Sequence, residues 1–235
     1  MKRIKVIVPV STAMWNEPVK EEMEKYKDSD TEISIINITK GPESIECLYD
    51  EAYAELFVLQ EAEKAEKEGY DAIIIYCFQD PGLRAAKEKL NIPVVGINEP
   101  SIHVATLLGN KFSIIFPGNV FNSIVDKLNL YSLEHRCASI RACGISVLDL
   151  EKNKEKTAQS LYEEAKKAVE EDGADTIVFG CGGMLGIADK ISKQLKVPVI
   201  APGFVGLKIC EDLISLGLSQ SKRFFATPTE KNRIS

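Results

Sequence analysis

The sequence predicts an α/β protein with mainly parallel sheets, built as two similar lobes. Three observations carry this. Apolar, β-branched runs alternate with helix-like segments along the chain; one block of sequence recurs; and a proline opens the strand that follows the helix of each copy.

Taken in order, the opening MKRIKVIVPV has basic residues and a short apolar run but no small-residue cleavage site, so it reads as a first strand over 4–10 and not as a leader. A helix-like segment at 17–27 and a strand at 33–38 follow. The stretch 44–68 reads as a long helix closed by Gly69. The run Ala72–Tyr76 is apolar throughout, as a strand buried on both faces should be, and strand 72–77 ends on a cysteine. Next come a helix at 83–90, a strand at 93–97 that Pro93 opens without losing a ladder bond, and a helix at 101–109. The second half repeats the order with strands at 112–116, 139–148, 176–180 and 197–201 and helices at 120–129, 154–172, 186–195 and 203–217.

The repeat is closest where GYDAIIIYCFQDPGLRAAKEKLNIPVVGI lies over GADTIVFGCGGMLGIADKISKQLKVPVIAP. Gly69 matches Gly173, Asp71 matches Asp175 and Cys77 matches Cys181, each pair 104 residues apart. KVIVPVST from Lys5 and FSIIFPGN from Phe112 correspond more loosely.

Composition narrows the function. With 45% hydrophobic and 27% charged residues over 235, the chain is an ordinary globular one, and its net charge of −6 without a Lys/Arg cluster excludes a nucleic-acid footprint. No stretch approaches the roughly 20 apolar residues of a membrane span, so no membrane partner is expected and the cytoplasm is the simplest location. Six cysteines, at 47, 77, 137, 143, 181 and 210, show neither a disulfide framework nor C-x-x-C spacing and are expected reduced. With two histidines, His103 and His135, no metal site is expected.

In open parallel sheets the ligand crevice lies beyond the carboxyl ends of the strands, where Cys77 and Cys181 both fall. Asp80-Pro81 reads as a cap and first turn of a helix just after Cys77, while Gly182 and Gly183 free the backbone after Cys181. A thiol near a helix N-terminus is expected to be partly thiolate near neutral pH. Packing accounts for Cys47, Cys137, Cys143 and Cys210, a local hydrogen bond for His103, and a solvated helix face for Glu46 and Asp50. One cysteine in each lobe suits removal of a proton from one face of a carbon acid and its return to the other, which inverts the centre without a cofactor.

The chain resembles the hydantoin racemase branch of the aspartate/glutamate racemase superfamily, over nearly its whole length. The motifs are GPESIECLYDEA from Gly41, CFQDPGL from Cys77, GINEPSIHVATLLGNKFSII from Gly96, RCASIRACGISVLDL from Arg136, GCGGM from Gly180 and LGLSQSK from Leu216. The resemblance implies two pseudo-symmetric flavodoxin-like lobes, at 1–98 plus 208–235 and at 99–207, with the active site in the cleft and the last helix crossing back to the first lobe. It implies cofactor-free racemisation by Cys77 and Cys181, with Ser11, Thr12, Asn119 and the backbone amides of Phe78, Gly182 and Gly183 around a small-molecule substrate. It also implies a homo-oligomer. The family's Asn-Pro-Asn-Thr loop after the first strand is replaced here by VPVSTAMW, which leaves the substrate more open than the reaction. A 5-monosubstituted hydantoin or allantoin is the leading substrate, with an aspartate/glutamate-type racemase and a non-catalytic two-lobed binding protein as the alternatives.

Overall fold

The computed structural model describes residues 1–118 and 121–232. Within them strands and helices alternate. The first half comprises β1 (Lys2–Val8), α1 (Asn16–Glu24), β2 (Thr31–Asn37), α2 (Leu48–Lys67), β3 (Ala72–Ile75), α3 (Leu83–Lys89), β4 (Val94–Gly96) and α4 (Asn98–Leu108). The second comprises β5 (Phe112–Phe116), α5 (Phe121–Leu130), β6 (Cys137–Ala142), α6 (Lys154–Glu170), β7 (Thr176–Phe179), α7 (Ala188–Leu195), β8 (Val199–Ile200) and α8 (Pro202–Leu216). They form two four-stranded sheets, ordered β2-β1-β3-β4 and β6-β5-β7-β8, with every pairing parallel. The predicted α/β class and paired lobes are both present.

The recurring residues have the same tasks in each sheet. Asp71 accepts the backbone N–H of Arg3 at 2.7 Å, and Asp175 accepts that of Lys111 at 3.1 Å, so each aspartate fixes the start of the neighbouring central strand. Ile73 and Ile177 donate to the carbonyls of Pro93 and Pro198 at 3.0 and 2.9 Å, which a proline offers although it lacks an N–H. Gly69 and Gly173, at φ +78° and +76°, occupy the left-handed region that follows the helices before β3 and β7. Burial explains the β-branched composition: Ile73, Ile74 and Ile75 of β3 and Ile177, Val178 and Phe179 of β7 are all inaccessible to solvent.

Element ends shift by up to three residues elsewhere, and two boundaries differ from expectation by more. The strand expected over 139–148 stops at Ala142, because its partner β5 ends at Phe116 and leaves nothing to pair with. The helix expected from 44 begins at Leu48, where the Asp50 carboxylate reaches back to the Glu46 N–H at 3.0 Å. Glu46 therefore precedes the helix and shares no helix face with Asp50.

The lobes are tied side chain by side chain. Phe78, from the turn after β3, packs among Ile102, Phe112, Ile114 and Phe116. Glu51 of α2 accepts from Ser123 at 2.8 Å and Lys127 at 2.9 Å, two residues four apart on α5. Gly186 donates its N–H to Glu22 of α1 at 2.9 Å. Helix α8 packs on β1, β3 and β4, and beyond it Gln220 donates to the carbonyls of Leu90 and Ile92, both at 2.8 Å. The chain thus returns to the first sheet. Among the described residues no helix is long and apolar enough to cross a membrane.

Candidate active site

In the first sheet β2 and β3 flank β1, and in the second β6 and β7 flank β5. The direction of winding reverses at those central strands, so a crevice opens at the carboxyl ends of β1 and β3 and another at those of β5 and β7. Both crevices contribute to one cavity of about 60 Å³. Val8, Pro9 and Val10 enter it from the end of β1, Tyr76, Cys77, Phe78 and Gln79 from β3, Pro117 from β5, and Gly180, Cys181, Gly182 and Gly183 from β7. Trp15, Val19, Ile45 and Val147 complete the wall. The structure therefore brings Cys77, Cys181, Phe78, Gly182 and Gly183 together as the sequence suggests.

The turns holding the two thiols are alike. Asp80 donates its N–H to the Cys77 carbonyl at 2.9 Å, and Met184 donates to that of Cys181 at 3.4 Å, 104 residues on in each case. The backbone N–H of the second residue after each cysteine faces its sulfur: Gln79 for Cys77 and, at 3.3 Å, Gly183 for Cys181. Those N–H groups favour a thiolate, but burial opposes it more strongly. Burial pushes the Cys181 thiol up to about 12, with the charges of Cys143 and Glu46 adding to the rise. Cys77 is raised further by burial, and negative charge on Cys181, Asp80 and Glu51 adds to it. The expectation of a partly ionised thiol near neutral pH is thus corrected, because desolvation of the charged form outweighs the nearby donors.

The Asp-Pro cap is also relocated. Helix α3 begins at Leu83, after Gly82, and Asp80 does not cap it. Asp80 takes a left-handed backbone, φ +47°, and crosses to the start of α4, accepting the N–H groups of Ile97, Asn98 and Glu99 at 2.8, 3.1 and 3.0 Å. Asn98 returns a bond from its Nδ2 to the Phe78 carbonyl at 2.8 Å. The turn that carries Cys77 is therefore pinned at both ends to one helix N-terminus, an acceptor-rich arrangement that suits those unpaired N–H groups. Burial raises the Asp80 carboxyl to about 7 against the pull of those donors.

Gly182 and Gly183 are small for a reason other than turn geometry, since neither has positive φ. A Cβ on Gly182 would lie 2.6 Å from the Tyr76 ring, and one on Gly183 would lie 3.0 Å from Trp15. The Tyr76 hydroxyl donates to the Gly182 carbonyl at 3.2 Å, so a first-lobe aromatic is seated on the second-lobe loop.

The remaining expected residues are placed as follows. Ser11 donates its hydroxyl to the Pro42 carbonyl at 3.2 Å, a bond that ties the loop after β1 to the loop before α2, and Thr12 accepts the Met14 N–H at 3.3 Å within its own loop; neither residue lines the cavity. Asn119 lies outside the described residues. His103 donates its Nδ1–H to the Glu99 carbonyl, 2.6 Å away, and stands edge-on to Tyr131. Cys143 and Cys210 are buried and Cys137 half-buried, as packing requires, but Cys47 is exposed at the start of α2 and fills no core. Gln79 was not singled out by sequence. Its signal there is a polar side chain set between a strand-end cysteine and a capping aspartate.

Fold and cavity together define a two-lobed α/β protein in which each lobe contributes one thiol to a shared, largely apolar pocket. Residues 4–210 match the family model described as Asp/Glu/Hydantoin racemase, and the chain belongs to that family. It is 37% identical over 235 residues to the hydantoin racemase of Pseudomonas sp. (strain NS671), covering 99% of this chain and 94% of that protein. It is 39% identical over 233 residues to the hydantoin racemase of Paenarthrobacter aurescens, covering 97% and 98%. Among solved structures, the allantoin racemase from Klebsiella pneumoniae matches with a TM-score of 0.96 at 34% identity, over 100% of this chain and 97% of that one.

Proposed function

We propose that this chain is a cofactor-independent racemase that inverts C5 of a 5-monosubstituted hydantoin or of allantoin, with Cys77 and Cys181 as its two acid/base groups. The observation that carries the reading is the placement of equivalent thiols, one from each lobe, on the same cavity. One sulfur, as thiolate, takes the C5 proton. The electron pair moves onto the neighbouring C4 carbonyl oxygen, and the thiol on the opposite face delivers its proton to C5. The ring suits a sulfur base because carbonyl and nitrogen groups flank C5. Among the described residues no Lys or Arg lines the cavity, whereas an α-amino acid needs a partner for its carboxylate. Polarimetry across hydantoins, allantoin, aspartate and glutamate tests the reading. Loss of rotation with the cyclic substrates alone supports it, and turnover of the amino acids alone overturns it.

The raised thiols set a pH dependence. Below its pKa a thiol is neutral and the thiolate fraction grows about tenfold for each pH unit. With Cys181 near 12 and Cys77 higher, kcat/KM should climb about 100-fold between pH 6.5 and 8.5 with no plateau. A pH–rate profile that levels off by pH 7 would mean that one thiol is already ionised.

The exposed Leu48, Tyr49, Tyr53 and Leu56 along α2 form an apolar face that supports a homo-oligomer. Light scattering on the purified protein reads the subunit number. Free cysteines suit a reducing cytoplasm.

A further inference from the structure

The thiol pair leaves one polar group of the cavity without a task. Gln79 is 2% exposed, lines the cavity, and presents its backbone N–H to the Cys77 sulfur. Its side-chain Oε1 is buried with no hydrogen-bond partner. Buried side-chain oxygens are nearly always paired, since stripping their water without a replacement is unfavourable. Gln79 thus holds an unpaired amide oxygen just behind the wall of an otherwise apolar pocket, an acceptor that a turn of the side chain would offer to a ligand's N–H.

The geometry points to Gln79 as the residue that grips the planar lactam edge of a cyclic ureide, with its side-chain N–H on the C4 carbonyl oxygen and its Oε1 taking the adjacent N3–H. This rests on the racemase reading above and specifies which edge of the ring the enzyme reads. A primary amide and a cis-lactam are complementary, since each presents one donor and one acceptor side by side in one plane. The same bond acts in the reaction. When C5 loses its proton, negative charge collects on the C4 oxygen, which the Gln79 N–H holds in that pairing. An α-amino acid has no lactam edge and meets the amide only through its freely rotating ammonium and carboxylate, so Gln79 favours the preformed planar ring.

The test pairs a change in the enzyme with a change in the ligand. Unsubstituted hydantoin and its 3-methyl and 1-methyl derivatives are titrated calorimetrically into wild type, Gln79→Leu and Gln79→Glu. Wild type should bind hydantoin about 10- to 100-fold more tightly than 3-methylhydantoin, and Gln79→Leu should bind both equally weakly. In Gln79→Glu a protonated carboxyl donates and accepts as the amide does, so hydantoin binding should be strong at low pH and fall as that carboxyl ionises. Wild type should show no such fall. This pH signature separates a ligand contact from a packing role, and it stands if Gln79→Leu folds poorly. Equal binding of hydantoin and 3-methylhydantoin by wild type, retention of the preference in Gln79→Leu, or a loss on 1-methylation in place of 3-methylation each overturns the assignment. Failure of the racemase reading appears separately, as absence of C5–H exchange in wild type with a substituted hydantoin whatever the binding preference.

Discussion

Cys77→Ser and Cys181→Ser should each lose racemisation by roughly 1,000-fold or more, because each removes one of two proton-transfer groups. A serine hydroxyl ionises so far above a thiol that neither its alkoxide nor its acidity is useful near neutral pH. The two effects should be similar in size, as the two turns share the sulfur-facing N–H and the same closing bond. The substitutions are nearly isosteric, so melting temperatures should barely move. One variant can still exchange the C5 proton with solvent on the face its remaining thiol serves. Circular dichroism for the fold and polarimetry for the turnover separate the possibilities, and near-wild-type racemisation in either variant would remove that cysteine from the mechanism.

Asp80→Ala should carry the largest stability cost of any single change near the site, about 3 kcal/mol or more, since it leaves three N–H groups at the start of α4 without their acceptor. Two of those bonds are buried and lie between the Cys77 turn and the N-terminus of α4. The turn should loosen with the loss, so kcat falls even in the fraction that remains folded. Asp80→Asn keeps the oxygen that serves Ile97 and Asn98 but turns an amide N–H toward that of Glu99, so it should lose about half as much. Urea denaturation of the three proteins gives the order. Equal stability of wild type and Asp80→Ala would mean that water replaces the carboxylate and that the turn is held by other contacts.

The architecture was readable in the sequence where the determining forces are local or periodic. Runs such as Ala72–Ile75 and Thr176–Phe179 announce strands buried on both faces, and the matched Asp71/Asp175 and Cys77/Cys181 announce the repeat. What sequence could not give is set by contacts between distant segments. Asp80-Pro81 carries the signature of a local helix cap, yet the left-handed backbone at Asp80 sends its carboxylate to residues 17 to 19 positions away. Gly182 and Gly183 read as turn formers, but their small size is demanded by Tyr76 and Trp15 from the other lobe. The thiol ionisation was misjudged for the same reason: the helix-end donors are visible in sequence, and the desolvation that outweighs them appears only once both lobes enclose the sulfurs. Thr12 shows the converse, since its hydroxyl bonds its own loop before it reaches a ligand, while the Ser11 hydroxyl is taken by Pro42 on another loop, a contact that sequence spacing does not announce.

The most direct test of two thiols acting on opposite faces is the position of deuterium early in the reaction. A single enantiomer of a 5-monosubstituted hydantoin is incubated with enzyme in D2O, and both enantiomers are separated and analysed by NMR within the first few per cent of conversion. With Cys77 and Cys181 on opposite faces, one sulfur retains the abstracted proton while the other delivers deuterium. The newly formed enantiomer should therefore carry deuterium at C5 while the remaining substrate stays protonated. Deuterium appearing in the recovered substrate as early and as abundantly as in the product would show that one group serves both faces, and would contradict the division of labour between the two lobes.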